Sequence, residues 1–414
     1  MWRSLCTEQG CYCYTALHWL FTESLCIRFF QEEGQVGSLA GNTTSGFATV
    51  DHHLHRLHRA PLNPFFSKKS ITALAMDIIT DFAFGAGART HHLDAPDFGL
   101  LWKENLVSQS ANGVVLRQFP WLWPVLVRMP LWLLRLLRHP GAGLVVWQQM
   151  TRARIDEIVA RNNKHDGYSG GGGGKKKKKK AGEGSIFQSV LDSDLPPGEK
   201  TADRLQAEAQ IVIGAGTETT AKSLSMISFY LNHDPAKRQR LREELATVGP
   251  EPDGSFSLAK LEKLPYLTAC ITEGVRMMSG VTGRLPRVAH EPLQCRECQM
   301  NYVVNNDPTL FPQPLEFRPE RWLVDDEAEA GVKREDGRRL ERYMVSFMRG
   351  SRACIGVNLA WAELYLALAY VVARFDLPPY DTTVERDLLI DRDLFVGVPK
   401  RESKGIRAKV VCCC

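Results

Sequence analysis

Apolar positions in this chain recur mainly at three- and four-residue spacings, which predicts helices more than strands. Ala202 to Asn232 reads as one long helix, with Thr201 as N-cap and the break Pro196-Pro197-Gly198 before it. Asp234-Pro235 opens the next helix, with Pro at its first position. Val357 to Ala373 is almost wholly apolar and reads as a buried helix. Phe119 to Leu137 is rich in Trp, Leu and Pro. Its three prolines, with Arg128 and Arg135, argue against a spanning helix. Two readings stay open there: a Pro-broken core segment, or a surface that dips into the membrane interface. Residues 1–46 show no clear periodicity. Tyr12 to Phe30 is interrupted by His18, Glu23 and Arg28, so it reads as neither a span nor a signal peptide.

Composition narrows the class. With 414 residues, 44% hydrophobic and 24% charged, the chain can bury a large core. Net charge is +5, but Lys175 to Lys180 alone supply six positive charges. The basicity is therefore local, and a nucleic-acid-binding reading rests on those lysines only. Ser169 to Lys180 is a Gly/Lys run that cannot pack, so it is expected to be a solvated loop. Eleven cysteines without regular spacing argue for a reducing compartment rather than a disulfide scaffold. In that setting the Asn42-Thr43-Thr44 sequon is read as chance. Cys295-Arg296-Glu297-Cys298 could bind metal or cycle redox, but no second Cys/His pair supports it.

One cysteine has a context of its own. Phe347-Met348-Arg349-Gly350-Ser351-Arg352-Ala353-Cys354-Ile355-Gly356 places Cys354 just before the apolar helix at 357. Unpaired N–H groups and the dipole at a helix start favour a thiolate, the form that binds metal. Gly350 permits a turn with positive φ. Gly356 removes a side chain where a flat ligand would lie, Arg352 can reach a carboxylate on it, and Phe347 can cover the sulfur. The bland alternative is a buried structural cysteine beside two loop glycines.

Three further constellations carry chemistry. Ala215-Gly216-Thr217-Glu218-Thr219-Thr220 lies mid-helix, where Gly216 costs about 1 kcal/mol relative to Ala. Thr219 can bond back to a carbonyl one turn earlier and open the helix, and Glu218 beside Thr219 makes an acid–alcohol pair suited to relaying protons. The alternative is a Gly-Ala packing contact with surface Glu and Thr. Glu273 and Arg276 stand three apart on one helix face. His55 and Arg59 share a face four apart, within Asp51 to Ser67.

The motif F-x-x-G-x-R-x-C-x-G at Phe347 to Gly356 resembles the haem-binding loop of the cytochrome P450 superfamily, the haem-thiolate monooxygenases. The similarity extends to A/G-G-x-D/E-T-T/S at Ala215 to Thr220, to E-x-x-R at Glu273 to Arg276, and to P-E-R-W at Pro319 to Trp322. His55-Arg56-Leu57-His58-Arg59-Ala60-Pro61-Leu62-Asn63-Pro64-Phe65-Phe66-Ser67 resembles the branch found in fungal secondary metabolism.

The resemblance implies a mainly α P450 fold with a small β region, and haem b between two helices with Cys354 as its axial thiolate ligand. It covers about residues 47–410 as one catalytic domain, with 1–46 unassigned; 169–180 is a loop within that domain, since pocket motifs lie on both sides. It implies contacts to haem from Cys354, Arg352, Phe347, Gly350, Gly356, His55, Arg59 and Arg287, an oxygen pocket at Ala215 and Gly216, and proton delivery by Glu218 and Thr219. Glu273, Arg276 and Arg321 become a buried structural brace, whose use is fixing the Cys354 loop rather than adding stability. Implied partners are dioxygen, an NADPH-dependent reductase and a lipophilic small molecule such as a terpenoid or polyketide. The expected location is the cytoplasmic face of the endoplasmic reticulum, with lipid contact through 119–137.

The chain departs from the family twice. A helix normally separates Phe65-Phe66-Ser67-Lys68-Lys69-Ser70-Ile71-Thr72 from Asp77-Ile78-Ile79-Thr80-Asp81-Phe82-Ala83-Phe84-Gly85, and a Pro-x-Gly-Thr turn is missing near Gln294 to Gln299. A non-catalytic remnant of the family is therefore the rival expectation.

Overall fold

A computed structural model describes residues 77–85, 116, 119–136, 141–168, 185–251, 255–283, 300–323, 339–394, 396–408 and 411–412. His55, Arg59, Arg287, Cys295, Cys298, Lys175 to Lys180 and the N-terminal stretch lie outside the described residues.

The helices are α1 (Asp77–Phe84), α2 (Leu122–Arg128), α3 (Leu131–Leu136), α4 (Gly141–Tyr168), α5 (Ile186–Asp192), α6 (Ala202–His233), α7 (Pro235–Val248), α8 (Leu258–Leu261), α9 (Pro265–Met278), α10 (Asn301–Asn305) and α11 (Val357–Arg374). The described strands are short: β1 (Phe375–Asp376) pairs antiparallel with β4 (Val411–Cys412), and β2 (Arg392–Leu394) with β3 (Val396–Val398). This is the mainly α architecture with a small β region that the sequence predicts.

Helix α6 is the axle. Thr201 starts it, its hydroxyl accepting the Arg204 N–H at 3.4 Å. At 32 residues it is about 48 Å long, and α1, α4, α9 and α11 pack around it. Its N-terminal half joins a core of Trp147, Ile155, Phe187, Leu205, Ile213 and Leu359. Its C-terminal half joins Ile227 and Leu231 to Leu241, Leu267, Val275, Leu364 and Leu368. Asp234 then caps α7, accepting from the Ala236 and Lys237 N–H groups at 3.1 and 3.2 Å.

Helix α11 matches the apolar run closely. It is long and apolar enough to cross a membrane, yet 44% of it is buried, and it packs on α6, α7, α8 and α9. It therefore reads as a core helix. Arg242 of α7 caps its C-terminal end, donating Nε to the Val372 carbonyl at 2.8 Å and Nη2 to that of Phe375 at 3.1 Å.

The Trp-rich segment forms α2 and α3, broken at Pro130. Leu126 and Leu134 face a small core, while Phe119, Trp121, Val125, Val127, Trp132 and Leu136 are exposed. Of the two readings left open, a wholly buried core segment is excluded.

Candidate active site

Two strongly shaped segments belong to the helix pair α6 and α11, which pack on each other. The first is the loop before α11. Met348 and Gly350 both take positive φ, +59° and +77°, a conformation that glycine accepts without strain. The Met348 N–H donates to the Val345 carbonyl at 2.8 Å, and the Ala353 N–H to the Gly350 carbonyl at 3.1 Å. The loop closes where the Cys354 N–H donates to the Phe347 carbonyl at 2.8 Å. Cys354 is thereby presented, exposed, two residues before Gly356, the N-cap of α11. Arg352 ends the preceding 3₁₀ turn. The Phe347 ring lies 6.2 Å from that of Trp361 and backs onto the core. That packing ties the first residue of the loop to the helix that follows it.

The second segment is the middle of α6. Thr219 Oγ1 donates to the Ala215 carbonyl at 2.8 Å, competing for an acceptor that the helix ladder also uses. Glu218 is ion-paired with Lys222 at 2.9 Å, and Lys222 Nζ also reaches the Gly397 carbonyl at 3.4 Å. Gly216 also makes the packing contact that the sequence left as the alternative. A Cβ there would stand 2.2 Å from Ile79 Cδ1 of α1. Close approach of α1 to α6 is thus one physical reason for a glycine at this position. Ala215 is exposed.

Beside these lies the brace. Glu273 and Arg276 are fully buried and Arg321 nearly so. Arg276 grips Glu273 bidentately, Nε to Oε2 at 2.9 Å and Nη2 to Oε1 at 2.8 Å. Arg321 Nε donates to Glu273 Oε1 at 3.0 Å, Trp322 Nε1 to Oε2 at 2.9 Å, and the Arg318 N–H to Oε1 at 3.1 Å. Two cations against one anion leave a surplus positive charge. Backbone carbonyls offset it: Pro314 and Asn305 accept from Arg276 at 2.8 and 2.6 Å, and Pro312 from Arg321 at 2.9 Å. Burial pulls the Arg321 pKa down, with Glu273 opposing. Gly274, inside the motif, lets α9 close on α6, for a Cβ there would stand 2.1 Å from Ile227 Cγ1.

Sequence reasoning missed two residues. Asn305 is fully buried and ties the brace to the cysteine loop; a lone Asn in a polar stretch gives no signal of this. Glu363 of α11 is partly buried, and its carboxyl bonds the Thr220 hydroxyl, next to Thr219. Burial pushes its pKa up to about 8, the Thr220 bond opposing. A lone Glu inside a long apolar run was its available signal.

The donor set fits a haem iron. Cys354 is a soft sulfur ligand at a helix start, presented by a loop of fixed shape rather than sealed in a core.

Comparison with known proteins agrees. A family model described as Cytochrome P450 matches residues 48–403. The chain is 33% identical to the tryptophan 6-hydroxylase fscE of Fusarium equiseti, across 89% of this chain and 76% of that protein. It is 35% identical to the N-acetyltryptophan 6-hydroxylase ivoC of Emericella nidulans, across 88% and 76%. It is 34% identical to the cytochrome P450 monooxygenase TRI4 of Trichoderma arundinaceum, across 89% and 76%.

Proposed function

The chain belongs to the cytochrome P450 family and is an oxidoreductase of the monooxygenase type, and from that premise we propose that it hydroxylates a lipophilic small molecule of fungal secondary metabolism, with Cys354 as the iron ligand and NADPH as the electron source through a reductase. The observation that carries this reading is the Cys354 loop, closed by the Cys354 N–H to Phe347 carbonyl bond and set before α11.

Bound haem supplies dioxygen activation, with the thiolate pushing electron density toward the iron. The remaining roles fall to the chain. The Phe347 carbonyl and the Gly350 turn hold the sulfur in place, and Arg352, His55, Arg59 and Arg287 are assigned to the propionates by family pattern. Thr219 offers a hydroxyl that can turn from the Ala215 carbonyl toward the oxygen side. Glu218, ion-paired with Lys222, is assigned to the relay beside it by family pattern.

For the substrate we favour a terpenoid or polyketide, by branch resemblance. Two similar proteins are named for 6-hydroxylation of tryptophan and N-acetyltryptophan, so indole compounds form the second class. Purified protein with a P450 reductase, NADPH and a panel of both classes tests this. Product carrying one added oxygen supports it. Haem uptake with no NADPH-dependent product across the panel favours the rival non-catalytic remnant.

Localisation at a membrane rests on Trp121, Trp132 and Leu136, which expose large apolar surfaces on α2 and α3. Vesicle sedimentation of the Trp121→Ser, Trp132→Ser double variant checks it: binding should weaken, and unchanged binding rejects contact through this surface.

A further inference from the structure

The amide of Asn305 stands between the brace and the segment that leads into the cysteine loop. Its Oδ1 accepts the Val345 N–H at 3.2 Å. Its Nδ2 donates to Ser346 Oγ at 2.8 Å and to the Arg276 carbonyl at 3.3 Å. Its own carbonyl accepts Arg276 Nη1 at 2.6 Å. Ser346 completes the circuit, donating Oγ to the Val275 carbonyl at 2.9 Å. The next residue, Phe347, gives its carbonyl to the Cys354 N–H.

The orientation of the amide is forced, because Val345 N–H can only donate and the Arg276 carbonyl can only accept. The contact is close on every side. Gly280, at φ +61°, lies under the same segment, and a Cβ there would stand 2.7 Å from the Ser346 carbonyl oxygen. Asn305 thus both bonds Arg276 and accepts from the backbone at Val345.

We propose that Asn305 is the positioning residue that transmits the rigidity of the Glu273–Arg276–Arg321 brace to residues 345–347, and so sets the place of the Cys354 sulfur. The proposal rests on Cys354 being the iron ligand. Physically, the side chains of Glu273, Arg276 and Arg321 bond one another and residues 305 and 312–322; Asn305 bonds both Arg276 and the segment at Val345 and Ser346. Asp in its place preserves volume but removes both donors and sets a carboxylate against the Arg276 carbonyl, so it should act like a deletion.

The test is hydrogen exchange of the haem-bound, full-length protein, together with the spectrum of its reduced, CO-bound form. In Asn305→Asp and Asn305→Ala, exchange of segment 344–354 should rise about tenfold, equal to ~1.4 kcal/mol of easier local opening. Exchange of α11 should stay unchanged, and the thiolate-type fraction of the CO spectrum should fall. Asn306→Ala, which touches Tyr302 and Ser279 instead, should alter neither. Unchanged exchange at 344–354, an equal rise throughout α11, or an intact thiolate signature overturns the proposal. Should neither Asn305 variant fold, Ser346→Ala decides: a selective rise at 344–354 supports the coupling and its absence overturns it. The ligation reading fails separately, if Cys354→Ser retains the thiolate signature.

Discussion

Thr219 turns its hydroxyl back onto the carbonyl of Ala215, 2.8 Å away, in the middle of the longest helix among the described residues. The bond loosens the local ladder and parks a proton donor beside the Glu218–Lys222 pair. Thr219→Ala should therefore keep the fold and the haem while diverting reducing equivalents to peroxide. Peroxide released per NADPH consumed measures this, and a fully coupled variant rejects the relay.

Gly216 tests the packing of α1 on α6. Adding a Cβ forces Ile79 Cδ1 away from a 2.2 Å approach, an overpacking cost of about 1–3 kcal/mol set against about 1 kcal/mol gained in helix propensity, so Gly216→Ala should destabilise by up to about 2 kcal/mol. The clash is with the far end of a flexible side chain, so Ile79→Ala should recover part of that loss in a double-mutant cycle. Denaturant melts of the four proteins decide it; no coupling between the two sites contradicts the packing account.

Much of this was legible beforehand, because it is local. Thr201, Asp234 and the apolar run after Gly356 each mark a helix end within a few residues. Gly350 announced a positive φ and takes one, whereas Met348 gave no such signal and takes one too. What stayed hidden depends on partners distant in sequence. Ile79 fills the notch at Gly216 from 137 positions away, and Asn305 meets Val345 and Ser346 across 40 and 41 positions. The segment 119–137 has the same composition whether buried or exposed, and only packing of Leu126 and Leu134 against the core shows which faces stay outside.

Glu363 gives a pH signature. Burial raises its pKa from 4.5 to about 8 in the folded protein. Between those values the unfolded chain is ionised while the folded protein keeps the proton. Stability from this group therefore falls as pH rises from about 5 to about 8 and levels off above. Glu363→Gln should remove that slope, so its urea midpoint should fall less between the two pH values than that of the parent. Parallel pH profiles for the two proteins contradict a raised pKa.

The account stands on the Cys354 sulfur, and the absorption spectrum of the purified, reduced, CO-bound protein tests it most directly. The account predicts a thiolate-type Soret band in the parent chain, lost in Cys354→Ser and kept when Cys295 and Cys298 are both changed to Ser. A colourless protein after expression with ample haem, an imidazole-type spectrum in the parent, or a thiolate band that survives Cys354→Ser would contradict it.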